Sequence, residues 1–145
     1  MTSEKCVPTP EDRQTLFRIA HWTLKQKYLR VAKVRELAGT EENYRLIIRE
    51  IDRVKAQLQQ ALLLNAEATL TLVDWLITLD GFNWYCAYCQ SKPFEVMSHL
   101  MPIQLAGTTP ENCVPACYRC RAGKGKLSGL SHVQVFLGNM HESCL

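Results

Sequence analysis

Apolar residues recur at intervals of three and four along residues 10–37, the pattern of an amphipathic helix with one buried stripe. The stripe comprises Phe17, Ala20, Leu24, Tyr28 and Val31. Thr9 can cap the start of this helix and Pro10 suits its first turn, while Ala38-Gly39 provides a stop. The pattern therefore predicts one helix over 10–37.

A second helix is predicted after Thr40, with Glu41 and Glu42 in its first turn facing the helix dipole. Its apolar positions alternate in steps of three and four, the spacing of a coiled-coil seam. They are Tyr44, Ile47, Ile51, Val54, Leu58 and Ala61. The seam can pack on the first helix as an intramolecular hairpin, or also on a second copy of the chain as a homodimer.

A third helix is predicted to start within residues 69–72 and to end at Asp80-Gly81, with Thr71 as its cap and Asp74 three residues further on. From Phe82 onward the composition changes to aromatic, cysteine and turn residues. We therefore predict a helical hairpin over 1–67 and a second domain over 68–145.

Composition changes this picture little. The 145 residues suffice for one compact domain, or for a small domain with a helical extension, and 47% hydrophobic with 21% charged residues is typical of a globular chain. No run of 18 apolar residues exists and residues 1–13 lack the apolar core of a secretory signal, so we expect a cytoplasmic protein without a membrane span. A net charge of +3 does not by itself establish a nucleic-acid partner.

Four of the seven cysteines form two C-x-x-C pairs, Cys86 with Cys89 and Cys117 with Cys120, separated by the 27 residues 90–116. In a chain that is not secreted this spacing favours metal ligation over disulfides. Two such pairs can place four thiolates about 2.3 Å from one tetrahedral Zn²⁺, and a site closed by four thiolates is structural. The alternative is two unrelated pairs of buried cysteines. The remaining cysteines, Cys6, Cys113 and Cys144, lie outside the predicted site.

Between and after the cysteine pairs lie Ser98-His99-Leu100-Met101-Pro102, Gly107-Thr108-Thr109, Asn112-Cys113-Val114-Pro115-Ala116 and Arg121-Ala122-Gly123-Lys124-Gly125. In this order and spacing the motifs resemble the HNH endonuclease family. The resemblance covers the 57 residues 70–126 and leaves the N-terminal helices without a counterpart.

The resemblance implies an α+β protein with a zinc-bound ββα-metal module: a short hairpin ending near His99, a loop through Asn112 and a helix beginning near the second cysteine pair. It implies that His99 acts as general base on a water that attacks a phosphodiester, with a divalent ion such as Mg²⁺ or Mn²⁺ polarising the phosphate. Asn112 would orient His99 or its loop, and Lys124 would lie near the nucleic-acid backbone.

Two positions depart from the family pattern. The residue before His99, usually an aspartate, is Ser98, and the residue after the last cysteine, usually asparagine or histidine, is Arg121. Both positions normally hold the catalytic ion. A serine hydroxyl is a weak ligand, and an arginine has no lone pair and repels a cation about 4 Å away by about 4 kcal/mol per unit charge.

Three interpretations follow. The module binds nucleic acid or protein without cleavage; or it cleaves with a metal recruited by Glu95, His132 or His141; or Arg121 replaces the metal by pairing with the phosphate while His99 remains the base.

Two basic runs bear on the partner. The first comprises Lys25, Lys27, Arg30, Lys33 and Arg35, and on a helix it spreads around the circumference, as a solvated face does. The second comprises Arg119, Arg121, Lys124 and Lys126 and lies where the family contacts the nucleic-acid backbone. The sequence thus favours DNA as partner, with RNA as an alternative, and a protein-interaction scaffold as the competing class of function.

Overall fold

Helices make up most of the part of the chain that the structure describes, a computed structural model of residues 7–122. The elements in chain order are α1 Pro10–Leu24, α2 Val31–Ala38, α3 Glu41–Leu63, α4 Leu72–Gly81, β1 Val96–His99, α5 Ile103–Ala106, β2 Cys113–Ala116 and α6 Tyr118–Ala122. These helices and the small antiparallel sheet confirm the α+β class. None of the described helices is long and apolar enough to cross a membrane.

The helix starts predicted from capping residues are confirmed. The Thr9 hydroxyl accepts a hydrogen bond from the Asp12 amide at the start of α1, and Thr40 caps α3 in the same way. Thr71 and Asp74 form a reciprocal capping box at the start of α4. Each cap satisfies a backbone N–H that has no partner within its own helix.

The single helix predicted over 10–37 is wrong, because the chain leaves α1 after Leu24 and begins α2 only at Val31. The predicted stripe fails at the same point: Leu24 is 53% exposed, Tyr28 72% and Val31 48%. A straight helix of that length would carry its last turns beyond the core. The break turns the chain back so that Val34 and Ala38 are buried, and three helices replace the predicted hairpin.

The seam of α3 packs against the chain itself. Ile47, Val54 and Ala61 are buried, and Tyr44, Ile51 and Leu58 pack at the edge of the core. That core also includes residues of α4 and Cys113, so residues on both sides of position 68 share it. The intramolecular packing is therefore present, while the homodimer and the domain boundary near 68 remain predictions.

A buried ion pair joins α3 to the segment that precedes β1. The Glu50 carboxylate, 1% exposed, accepts hydrogen bonds from Arg53 Nε at 2.8 Å and from Trp75 Nε1 at 2.9 Å. Arg53 also donates to the Glu95 carbonyl at 3.1 Å, and its guanidinium lies 5.0 Å from the centre of the Phe94 ring. Because both charges are paired and hydrogen-bonded, the pair orients β1 on α3 without leaving a buried charge unsatisfied.

The sheet differs from the predicted hairpin ending near His99. β1 pairs antiparallel with β2, from Val96 opposite Ala116 to His99 opposite Cys113, so the strands flank residues 100–112. Between α4 and β1 an isolated antiparallel bridge joins Tyr85 to Pro93, with hydrogen bonds from the Cys86 amide to the Lys92 carbonyl at 3.0 Å and from the Phe94 amide to the Trp84 carbonyl at 3.1 Å. We call residues 100–112 the His99 loop.

Candidate functional site

The four cysteines of the predicted zinc site converge. Their Sγ atoms all lie within 4.8 Å of one another, and those of Cys89 and Cys117 are 4.0 Å apart. Four sulfurs about 2.3 Å from one Zn²⁺ would be separated by about 3.8 Å along the edges of the tetrahedron. Cys89 is exposed, whereas Cys86, Cys117 and Cys120 are buried. This four-thiol cluster can hold a metal ion such as zinc.

The elements on either side bring the two pairs together. The first pair follows a tight turn after α4, in which Asn83 and Trp84 have positive φ angles. Trp84 is held there by burial and by a 2.8 Å hydrogen bond from its indole N–H to Asp80. The second pair follows β2 and enters α6, and a 2.8 Å hydrogen bond from the Ala87 amide to the Pro115 carbonyl links the first pair to β2.

The thiols of the cluster differ in acidity. Burial alone would raise the pKa of Cys89, but hydrogen bonds from Ser91 and from the Cys86 and Cys120 thiols lower it to about 6. Burial and hydrogen bonds with the other three thiols raise the pKa of Cys120 to about 12. Four adjacent thiolates repel one another, and a divalent ion relieves that repulsion.

Cys113 lies outside the cluster, as the sequence predicted. It is 1% exposed within the hydrophobic core, and burial raises its pKa to about 12. A thiol with so high a pKa is inert and behaves as a small apolar group. Cys6 and Cys144 lie outside the described residues.

His99 ends β1 and is only partly buried. Its Nε2 lies 3.0 Å from the Thr108 hydroxyl oxygen, and that hydroxyl donates a 2.9 Å hydrogen bond to the Gln57 carbonyl of α3. Thr108 belongs to one of the HNH-like motifs, but the sequence offered no sign of its contact with Gln57, because the two residues are 51 positions apart. The candidate base is therefore connected to the N-terminal helices.

Asn112 closes the His99 loop. Its side-chain oxygen accepts from the Met101 amide at 2.8 Å, and its side-chain nitrogen donates to the carbonyls of Met101 and Gly107 at 3.1 and 2.8 Å. The residue is 3% exposed, so these hydrogen bonds satisfy a buried amide. This geometry suits the predicted role of Asn112 in orienting the loop.

Ser98, which precedes His99 in β1, is 2% exposed. Its hydroxyl and that of Tyr88 are both buried, and neither forms a hydrogen bond of good geometry with the described residues. They still influence each other: burial raises the pKa of Tyr88, the Ser98 hydroxyl opposes that rise, and Cys86 and Cys120 add to it. The Ser98 oxygen is thus directed into the protein rather than toward solvent.

Arg119 and Arg121 are exposed on α6, and neither is ion-paired with any residue between 7 and 122. The Arg121 guanidinium lies 5.7 Å from the centre of the Tyr118 ring, and Tyr118 is itself 56% exposed. Lys124 and Lys126, the other members of this basic run, lie outside the described residues. The described half of the run is therefore open to an anionic partner.

The other basic run does not form a face of one helix, because the α1–α2 break divides it. Lys33 is ion-paired with Glu36 and Arg35 with Glu41, while Lys25, Lys27 and Arg30 are exposed. The structure agrees with a solvated surface here.

Glu95, considered as a ligand for a catalytic metal, already has other partners. One of its carboxylate oxygens accepts a hydrogen bond from the Tyr118 amide at 3.1 Å and lies 3.5 Å from Lys92 Nζ. Across residues 7–122 the four-thiol cluster is the one group of three or more potential ligands brought together. The other two candidate ligands for a catalytic metal, His132 and His141, lie outside the described residues.

Comparison of the chain with protein-family models, with curated proteins and with solved structures found no match.

Proposed function

We propose that residues 70–126 form a zinc-stabilised HNH-like module that binds the nucleic-acid backbone and does not perform metal-dependent cleavage. Support for the module comes from the order β1, His99 loop, β2 and α6, from the loop closed by Asn112, and from the four-thiol cluster, which suits Zn²⁺. Such a zinc would be structural, since four thiolates leave no position for water.

The observation that carries the binding function is the exposed surface of α6. Arg119 and Arg121 present cations without an acidic partner among the described residues, beside the exposed ring of Tyr118. Arginine pairs with phosphate through two parallel hydrogen bonds, and an exposed ring can stack on an unpaired base. Backbone binding of this kind is independent of sequence and sensitive to salt.

The same residues argue against an ordinary catalytic ion. Ser98 offers a neutral oxygen that is buried, and Arg121 places a permanent cation where the family places a ligand. Mg²⁺ and Mn²⁺ prefer carboxylate and other oxygen ligands, and a neighbouring guanidinium disfavours a divalent ion.

Binding is tested by fluorescence anisotropy with labelled double-stranded DNA, single-stranded DNA and RNA over a range of salt concentrations. A double variant, Arg119→Glu with Arg121→Glu, is expected to bind more weakly, and the slope of log K against log salt should fall by about two, one for each phosphate that an arginine no longer neutralises. The matched control is Arg18→Glu with Arg49→Glu, which changes the net charge equally at exposed positions of α1 and α3. Equal weakening by both variants would show an effect of net charge alone and would contradict a site on α6.

Cleavage is tested with supercoiled plasmid, the zinc-loaded protein and added Mg²⁺, Mn²⁺ or EDTA, beside a His99→Ala variant. We expect no nicking above that of His99→Ala. Nicking that needs a divalent ion and His99 would instead establish an active nuclease with unorthodox ligands. Nicking that persists in EDTA yet needs His99 would favour Arg121 as the substitute for the metal.

A cleft favours a protein-interaction scaffold as the second candidate function. It lies between the 25–30 turn and α3, has a volume of about 280 Å³, and is lined by apolar side chains such as Leu29, Ile51 and Leu58, with Lys27 and Lys55 among its polar members. Clefts of this character occur at binding sites for partner side chains. Weak nucleic-acid binding that the α6 variant leaves unchanged would favour this second candidate.

A further inference from the structure

The cleft between the 25–30 turn and α3, which we call the turn cleft, has a fixed floor and an open rim. Its apolar walls come from three segments: Leu29 of the turn, Ile51, Val54 and Leu58 of α3, and Leu72 at the start of α4. Val54 and Leu72 are buried members of the hydrophobic core, whereas Leu29 is 38% exposed. The floor therefore exists before any partner binds, and an apolar group that enters from the rim is removed from water.

The charge of the turn cleft is positive. Lys27 and Lys55 line it, and among the described residues no acidic side chain does. Neither lysine is ion-paired within residues 7–122, and the sequence from Arg13 to Arg35 contains no aspartate or glutamate. Lys27 Nζ lies 5.7 Å from the centre of the Tyr28 ring, a neutral partner that leaves the lysine charge uncompensated. An occupant complementary to these walls joins an apolar body to negative charge.

The size and the walls of the turn cleft favour a protein segment over a cofactor or a nucleotide. Its volume of about 280 Å³ lies just below the range of about 300–1,000 Å³ typical of small-molecule sites, and it suits a bulky side chain of a partner. Sites for unpaired bases are built on aromatic platforms, whereas the walls here are aliphatic and the aromatic lining residue, Tyr28, is 72% exposed. Leu24 and Val31, which flank the turn, are also exposed, as on surfaces that bind other proteins.

We propose that the turn cleft binds an acidic segment of a partner protein, in which one bulky apolar side chain enters the cleft and flanking carboxylates pair with Lys27 and Lys55. The proposal names the partner of the scaffold function given above as the second candidate, and it rests on that function. It is independent of nucleic-acid binding by α6, whose arginines do not line the cleft.

The test is a titration of the zinc-loaded, methyl-¹³C-labelled full-length protein with capped tripeptides, followed by NMR. The peptides are Asp-Trp-Asp and, as matched probes, Asn-Trp-Asn, Lys-Trp-Lys and Asp-Ala-Asp. Asp-Trp-Asp should shift the methyl signals of Leu29, Ile51 and Leu58, and should bind about three- to tenfold more tightly than Asn-Trp-Asn, the factor that two exposed ion pairs provide. Lys-Trp-Lys and Asp-Ala-Asp should each bind at least about tenfold more weakly than Asp-Trp-Asp, because one reverses the charge and the other lacks the side chain that fills the cleft.

Reversal of the cleft's charge supplies the variant. Lys27→Glu with Lys55→Glu should exchange the order of affinity of the acidic and basic peptides. The matched control is Arg18→Glu with Arg49→Glu, which changes the net charge equally at exposed positions outside the cleft and should keep the wild-type order. If the lysine variant does not fold, the wild-type order of the four peptides decides.

The α6 variant, Arg119→Glu with Arg121→Glu, should also keep the wild-type order, so failure of the nucleic-acid binding experiment would leave this result intact. Equal affinity for the acidic, amide and basic peptides, an unchanged order in Lys27→Glu with Lys55→Glu, or no shift of the cleft methyl signals would each overturn the proposal. Tighter binding of single-stranded DNA at the same methyl groups would overturn it in favour of nucleic acid. Shifts that depend on protein concentration alone would overturn it in favour of a second copy of the chain.

Discussion

Replacement of Cys117 by serine is expected to abolish metal binding and to unfold the part of the chain around the four-thiol cluster. Cys117 joins β2 to α6 and is 1% exposed, so its sulfur cannot be replaced by water without opening the site. Structural zinc contributes on the order of 10 kcal/mol of apparent binding free energy to small zinc-dependent folds. That is comparable with the whole free energy of unfolding of a domain, about 5–15 kcal/mol.

The measurement combines native mass spectrometry, which counts bound zinc, with thermal unfolding followed by circular dichroism. Wild-type protein should carry one zinc and should lose stability when a strong chelator is added, whereas Cys117→Ser should bind none. Cys113→Ala is the matched control, because Cys113 is equally buried but lies in the hydrophobic core. Its small cavity should cost about 1–2 kcal/mol and leave the zinc in place. A Cys117→Ser protein that unfolds at the wild-type temperature would show that the cluster is no metal site.

Substitution of Gly107 by alanine is expected to destabilise the protein far more than the same substitution at Gly39. Both glycines have positive φ angles, 73° and 77°. At Gly107 an added Cβ would overlap the Glu67 carbonyl oxygen and would lie 2.8 Å from the Glu67 nitrogen, whereas at Gly39 no heavy atom lies within 4 Å. With its ψ of −169°, Gly107 also occupies a backbone region that is open almost only to glycine.

Gly39→Ala should therefore cost about 1–2 kcal/mol, the strain of a positive φ alone, and Gly107→Ala about 4 kcal/mol or more. Urea unfolding at constant zinc compares the two variants on one scale, through the midpoint and the m-value. The two glycines serve as controls for each other, since both have a positive φ, while they differ in ψ and in the space around the added carbon. Equal losses of stability would show that the close approach of Gly107 to Glu67 does not contribute.

These results would also bear on the site. Gly107 precedes Thr108, and its carbonyl accepts a hydrogen bond from Asn112. A shift of the backbone at Gly107 would disturb both the closure of the His99 loop and the support of His99. If the Gly107→Ala protein binds nucleic acid more weakly, its free energy of unfolding must be compared with that of the wild type, because the substitution affects both the fold and the candidate site.

The helix starts and the metal cluster could be predicted from the sequence for a common reason. A cap such as Thr71 acts on an amide three positions away, and a C-x-x-C pair brings its two sulfurs together within one turn of the chain. Such interactions are encoded by residue type and short spacing. The assignment of four cysteines to one cluster also needed only the expectation that two such pairs share an ion.

The break between α1 and α2 could not be predicted in the same way. Leu24, Tyr28 and Val31 continue the apolar period, and the stretch between Lys25 and Arg30 contains neither proline nor glycine to mark an end. Whether an apolar face is buried depends on how far the opposing surface extends. Here α3 and α4 contact α1, but the stripe is exposed from the last residue of α1, Leu24, onward through Tyr28 and Val31.

By itself the sequence determined the α+β class, the caps of α1, α3 and α4, and the convergence of Cys86, Cys89, Cys117 and Cys120. Only the tertiary structure decided that Ser98 points into the protein and that Thr108 connects His99 to the Gln57 carbonyl. The physical reason is the separation along the sequence over which each interaction acts. Helix caps and cysteine pairs act over a few residues. The orientation of a hydroxyl or an imidazole depends on donors and acceptors from distant segments, which meet only when the helices pack.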